Sequence, residues 1–228
     1  MPEIIFILYK PAVPGNVGAS ARAMKTMGFS HLRLIQPCDH LSMEARMMAH
    51  GSHDVLEAAV IFESFEEAVK DIDFVICTTA KSRSAKHDYY SSQDLVGVIN
   101  DKSESLEKVG IVFGTEESGL PNSIIQQADL AVSIPMASGY PSLNLSQSVM
   151  IISYELSLHL KLKLSEENNQ INSESFRELK QRTKMLLEKV GVPEGTPLHH
   201  RIMERVAILK SGDISLLHSV TSKIADKF

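Results

Sequence analysis

Four short stretches carry residue types that chemistry needs. The first, PGNVGASAR from Pro14 to Arg22, offers an amide, two glycines and a guanidinium just after an apolar run. Gly15 and Gly18 permit close backbone approach, and Arg22 would project from the helix that follows. The second, TTAKSR from Thr78 to Arg83, ends a buried strand with two hydroxyls, and Lys86 and His87 extend its basic cluster. Such hydroxyls bind ligands or close the strand locally, and the cations suit phosphates. The third, FGTEESGLPN from Phe113 to Asn122, places Glu116 between Gly114 and Gly119. That spacing describes a tight loop that brings backbone groups near a ligand. In the fourth, Ile134 and Pro135 end a strand, and Tyr140-Pro141-Ser142-Leu143-Asn144 leads into an apolar helix. A helix start has unpaired N–H groups and a positive dipole end. A Ser142 and an Asn144 on its first turn are therefore either caps or groups aimed at a ligand.

The elements that hold these stretches alternate. Apolar runs at 4–9, 32–37, 73–80, 110–114 and 130–135 read as buried strands. Helical patterns fall between them at 17–28, 42–51, 64–72, 91–99 and 121–128, and a long apolar helix runs from about Ser142 to Leu162. Val17, Ala21, Met24 and Met27 share one side of the first helix. This alternation predicts an α/β fold, a parallel sheet flanked by helices. In such a sheet ligands bind beyond the carboxyl ends of the strands, which is where the four stretches fall. The chain divides into a body (1–163), a polar linker (164–174) and a small all-helical C-terminal extension (175–228). The extension's apolar faces, Leu179/Met185/Leu186/Val190 and Ile202/Val206/Leu209, need a surface to pack on.

Composition narrows the classes. The 228 residues are 43% hydrophobic and carry a net charge of −5, which argues against a protein that coats nucleic acid nonspecifically. Residues 1–160 hold 11 basic and 19 acidic side chains, and residues 161–228 hold 12 and 9, so a mildly basic tail follows an acidic body. That tail is compatible with RNA contact or with a solvated helical face. No run approaches the ~18 apolar residues of a membrane span. The N-terminus lacks the basic region of a signal peptide, and two unrelated cysteines suggest no disulfide framework, so a cytoplasmic location is the default. The nine histidines form no metal spacing, and His199 and His200 read as surface residues. Neither GxGxxG nor a P-loop lysine follows the first strand, which counts against an oxidoreductase or an NTP site.

Taken together, GNVGASARAMKTMGF, FGTEESGL and IPM…YPSLNLSQSV resemble the three signature motifs of the SpoU/TrmH-type RNA 2′-O-ribose methyltransferases of the SPOUT superfamily. The RAMKTMGF wording and the helical tail are most similar to the TrmJ/LasT-like branch. The resemblance covers about residues 3–160. It implies transfer of a methyl group from S-adenosylmethionine to a ribose 2′-hydroxyl of tRNA or rRNA. It also implies a C-terminal trefoil knot and a homodimer with its site near the interface. The cofactor would sit on Thr78, Thr79, Ala80, Gly114, Ile134, Pro141, Ser142 and Leu143. The catalytic residues carried over are Asn16, Arg22, Glu116, Ser142 and Asn144. A guanidinium has a pKa above about 12 and is a poor base, so Arg22 would bind the neighbouring phosphate and stabilise the developing oxyanion. Asn16 and Asn144 would orient the loop or the ribose, and Glu116 would hold loop geometry. Two positions depart from the usual pattern. Pro141 replaces a small polar residue, and Thr115 stands where relatives often place a basic one. The competing reading is an RNA-binding protein that keeps the fold without efficient catalysis.

Overall fold

The computed structural model describes residues 2–80, 88–103, 105–137, 143–160, 173–209 and 211–225. The basic cluster at Lys81, Arg83, Lys86 and His87 lies outside them, as do Pro141 and Ser142.

Seven strands form one sheet: β1 (Glu3–Tyr9), β2 (His31–Ile35), β3 (Val60–Phe62), β4 (Phe74–Thr78), β5 (Tyr90–Ser91), β6 (Lys108–Phe113) and β7 (Leu130–Ser133). Their order is β3-β2-β1-β6-β4-β7-β5, and every pairing is parallel. The five expected strands are present with shifted ends: β1, β2 and β6 begin one or two residues sooner, and β2, β4, β6 and β7 stop one or two residues sooner. Two more, β3 and β5, are edge strands of three and two residues, too short to leave a period in the sequence.

Among the described residues ten helices accompany them, six between strands and four after β7: α1 (Pro14–Thr26), α2 (Met43–Met48), α3 (His53–Glu57), α4 (Phe65–Ala68), α5 (Ser92–Lys102), α6 (Asn122–Gln127), α7 (Leu145–Leu160), α8 (Ser173–Lys189), α9 (Pro197–Ala207) and α10 (Ser211–Ala225). Side chains alternate along each strand, so the sheet feeds two cores. On one face Phe6, Leu8, Phe74, Ile76, Ile111 and Phe113 meet α1, α5, α7 and the tail helices. On the other, Ile5, Ile7, Val75, Cys77 and Val112 meet the shorter α4 and α6.

Local details correct several expectations. The first helix opens at Pro14 rather than 17, because proline suits a helix start. Gly15 and Gly18 therefore lie inside α1. A Cβ on Gly18 would stand 2.0 Å from the Ala45 carbonyl oxygen, so this glycine admits α2 rather than a ligand. The 42–51 pattern breaks into α2 and a turn before α3. In α8 the buried face is Phe176, Leu179 and Leu187, whereas Met185 and Val190 are exposed. His199 is buried, not a surface residue.

The tail packs on the amino ends of the strands. The Phe176 ring lies tilted against Phe74, with centroids 6.1 Å apart. Arg177 holds Asp73, and Lys180 reaches Asp129 at 2.8 Å. Arg201 and Arg205 both meet Asp88, at 2.7 and 3.1 Å. The tail's basic residues here serve as a clasp on the body. The threaded path of a knot would include residues 138–142, outside the described residues.

Candidate active site

A cavity of about 330 Å³ opens beyond the carboxyl ends of β4, β6 and β7. Thr78, Thr79, Ala80, Gly114, Ile134 and Leu143 all line it. These come from four separate segments, and the parallel sheet gathers them. Thr78 also closes the strand end, since its hydroxyl donates to the Val112 carbonyl at 3.0 Å. The Thr79 N–H continues the ladder to Val132 at 2.9 Å.

The wall from Thr115 to Gly119 is a closed loop. Thr115 N–H donates to Gly119 O at 3.2 Å, and Gly119 N–H returns to Thr115 O at 3.0 Å. Gly119 has φ +70°, which favours glycine. A Cβ on Gly114 would stand 2.2 Å from the Gly119 carbonyl carbon, so both glycines serve this closure. The Thr115 hydroxyl accepts the Ser118 N–H at 3.2 Å and is part of the fastening.

Glu116, held at the tip of that loop, reaches across to α1. Its carboxylate accepts the N–H groups of Ala12 at 3.1 Å and Val13 at 3.3 Å, and the Asn16 side-chain amide at 3.0 Å. Val13 caps α1 with no side-chain bond of its own, so a distant carboxylate sits at the positive end of this helix. Partial burial raises the Glu116 pKa, but the bonds from Asn16, Ala12 and Val13 outweigh it and hold the carboxyl below its ordinary value. Asn16 in turn accepts from Asn144 Nδ2 at 2.9 Å. Three stretches thus join in one relay, Asn144 to Asn16 to Glu116, with Asn16 standing 128 residues from the first and 100 from the second.

Asn144 does not lie in the first turn of the long helix. It is the residue before α7, and its Oδ1 accepts the Ser146 N–H at 2.8 Å as an N-cap. The cap half of the early alternative therefore holds for Asn144, while Ser142 lies outside the described residues.

Arg22 is exposed on α1. Among the described residues its side chain has no ion pair or hydrogen bond. It lines a groove between α1 and α7 whose walls include Leu143, Gln147 and Met150. Leu143 belongs to both groove and cavity.

The sequence profile of the SpoU rRNA Methylase family matches residues 3–154. The chain belongs to this family. The C-terminal domain of tRNA/rRNA methyltransferase LasT matches residues 173–228. Among relatives of this SpoU chain, the protein named uncharacterized tRNA/rRNA methyltransferase LasT of Escherichia coli (strain K12) is 36% identical over 97% of both chains. The tRNA (cytidine/uridine/adenosine-2′-O-)-methyltransferase TrmJ of Pseudomonas aeruginosa is 30% identical over 91% of this chain and 78% of its own. Among solved structures, TrmJ from Z. mobilis superposes with a TM-score of 0.67 at 26% identity, covering 99% of both chains. A methylase family protein from Haemophilus influenzae Rd KW20 gives 0.69 at 26%, covering 99% of this chain and 97% of that one.

Residue types alone did not point to several parts of this SpoU site. Glu117, Ser118, Met136 and Ser148 also line the cavity. Gln147 was legible through its spacing, since Asn144-x-x-Gln147 is a capping-box pattern. Cys38 lies within electrostatic reach of Glu116, and burial, then Glu116, push its thiol up, the opposite of the shift that activates a thiolate. No group of metal-ligating side chains occurs among the described residues, and no described helix is long and apolar enough to cross a membrane.

Proposed function

We propose that this chain methylates a ribose 2′-hydroxyl of tRNA or rRNA with S-adenosylmethionine. The observation that carries this reading is the relay of Asn144, Asn16 and Glu116, which ends in the cavity wall, with Arg22, unpaired among the described residues, in the groove that shares Leu143 with that cavity.

The cavity suits the cofactor on its own terms. Phe113, Leu120, Ile134 and Leu145 supply apolar wall for an adenine ring, and Thr78, Glu117 and Ser118 supply polar atoms. Thr78, Thr79, Ala80, Gly114, Ile134 and Leu143, with Pro141 and Ser142, would hold it. When bound, S-adenosylmethionine supplies an electrophilic methyl group on a cationic sulfur.

The chain's own residues position and polarise the acceptor. Arg22 holds the phosphate next to the reacting ribose and stabilises negative charge on the 2′-oxygen. The hydroxyl proton leaves through that phosphate or a water, since a guanidinium does not accept it. Asn16 and Asn144 hold the ribose edge in line, and most of the rate comes from this alignment. Glu116 keeps the 115–119 loop docked on α1 and does no proton transfer. Ser142, outside the described residues, is proposed with these residues as a catalytic candidate of the third motif.

The working unit is a homodimer in this reading. Exposed Met150, which shares a groove with Arg22, and exposed Tyr154 one turn further along α7 support a face covered by a second copy. The body (1–163) would carry a trefoil knot as in its family, with 164–174 as linker and 175–228 as the helical clasp. The matched relatives named as tRNA methyltransferases favour tRNA as the RNA. A reduced, cytoplasmic setting fits this substrate.

The test uses labelled S-adenosylmethionine and RNA from cells lacking the gene, digested to nucleosides. Label in a 2′-O-methylnucleoside of the tRNA or rRNA fraction supports the reading. Label on a base overturns the ribose assignment. No label in any fraction, with S-adenosylhomocysteine still bound, leaves an RNA-binding protein of the same fold.

A further inference from the structure

Asn144 is the hub of the relay, and its amide must face one way. Its Oδ1 accepts both the N–H and the hydroxyl of Ser146, each at 2.8 Å. With the oxygen committed to α7, Nδ2 alone is left for Asn16 Oδ1, at 2.9 Å. Asn16 then has only Nδ2 to offer Glu116, at 3.0 Å. A flipped Asn144 would set two oxygens face to face, or turn Asn16 so that its oxygen met a carboxylate. The direction of the whole relay is therefore decided at the start of α7.

What holds that start is Gln147. Its Oε1 accepts the Asn144 main-chain N–H at 2.9 Å, closing the reciprocal half of the capping box. Gln147 is exposed, outside both cores, and shares the groove wall with Arg22. We propose that Gln147 is a positioning residue for methyl transfer: by holding the Asn144 main chain it locks the Asn144 amide in the rotation that aligns Asn16 and Glu116. The kinetic part of this proposal rests on the ribose methyltransferase reading.

The test compares Gln147→Met, which keeps length but loses the acceptor, with Gln147→Glu, which keeps the acceptor. Both are made in the full chain, with assembly state checked by size exclusion. Gln147→Met is expected to lower kcat roughly tenfold, leave S-adenosylhomocysteine affinity unchanged, and shift the Asn16 side-chain amide signals in a ¹⁵N NMR spectrum. Gln147→Glu is expected to restore kcat and the Asn16 signals, while raising KM for RNA through its negative charge beside Arg22. Wild-type kcat in Gln147→Met overturns the proposal, and so do unchanged Asn16 signals. If the wild-type chain methylates no RNA at all, the enzymatic reading is what has failed. The NMR comparison then decides the positioning claim alone.

Discussion

The two ends of the sheet treat charge in opposite ways. At the amino ends of the strands, carboxylates meet cations. Asp73 is fully buried and accepts the N–H groups of Glu107 and Lys108, at 2.9 and 3.0 Å, together with Arg177. Asp129 accepts the Val75 N–H and Lys180, both at 2.8 Å. At the carboxyl ends, Glu116 is satisfied by neutral amides, and Arg22 is left for a ligand. Ion pairs that close a fold quench one another's charge. A carboxylate held by amides lets a neighbouring cation act on a phosphate. A chain of net charge −5 can in this way present a local anion site.

The largest effect should come from breaking the amino end. Asp73→Ala removes a buried acceptor from the N–H groups of Glu107 and Lys108 and from a guanidinium. Loss of one partner of a buried pair costs about 3–5 kcal/mol. The exposed half of Arg177 brings this toward the lower figure, because water screens it. Thermal unfolding should show a large fall in Tm. A Tm within error of wild type would mean that the clasp is ornamental.

Arg22→Ala tests the carboxyl end. Methyl transfer should fall about 10²–10³-fold, while S-adenosylhomocysteine binding by calorimetry is kept and Tm barely moves. Equal turnover in this variant would refute the role of Arg22.

Glu116→Gln sits between the two. It replaces an acceptor of three N–H groups by an amide, and should cost about 1–3 kcal/mol with a smaller loss of turnover than Arg22→Ala. Its pH behaviour has a definite sign. The folded carboxyl pKa is lowered, so its stabilisation is present at neutral pH and is lost as pH falls through that lowered value. Denaturation of the wild type and Glu116→Gln should therefore converge in acid. Parallel curves down to pH 2, on an order-of-magnitude view of carboxylate titration, would exclude the contribution.

The smallest effect concerns Lys102, buried between the Phe74 and Phe176 rings, where it donates to the Leu209 carbonyl. Burial, partly offset by Asp129, pushes its ammonium down to about 8. Between that value and the ordinary 10.5, the unfolded chain keeps a proton that the folded chain has released. Stability should rise with pH across this window. Lys102→Met should remove that rise at little other cost, because an apolar isostere suits the site. An unchanged slope in chemical denaturation would show that Lys102 does not titrate there.

Legibility followed chain separation. The five central strands were plain, because a strand buried on both faces must be apolar throughout. Strand β3, with Val60 and Ile61 half exposed, carried no such mark. Helix α1 was visible from Val17, Ala21 and Met24, yet its start was placed three residues late, because Gly15 has no side chain to extend the apolar stripe. The glycine identity of Gly15 and Gly18 answers to the Ala45 carbonyl and the Glu44 side chain, and a partner helix leaves no trace in its neighbour's own periodicity. The tail's cations looked available to RNA because Asp73 and Asp129 lie far from them in sequence.

By itself the sequence determined the alternating α/β order, the family motifs and the residue types gathered at the strand ends, since these are local patterns of polarity and chain geometry. The relay was left to the tertiary structure. Asn16 and Asn144 stand 128 residues apart, and Asn16 and Glu116 stand 100 apart. The direction of their amides is decided by bonds that exist only once β1, β6 and α7 meet. The same holds for the clasp. Whether a surface cation is free or paired is a property of what packs against it, and only the folded chain brings Arg177 to Asp73.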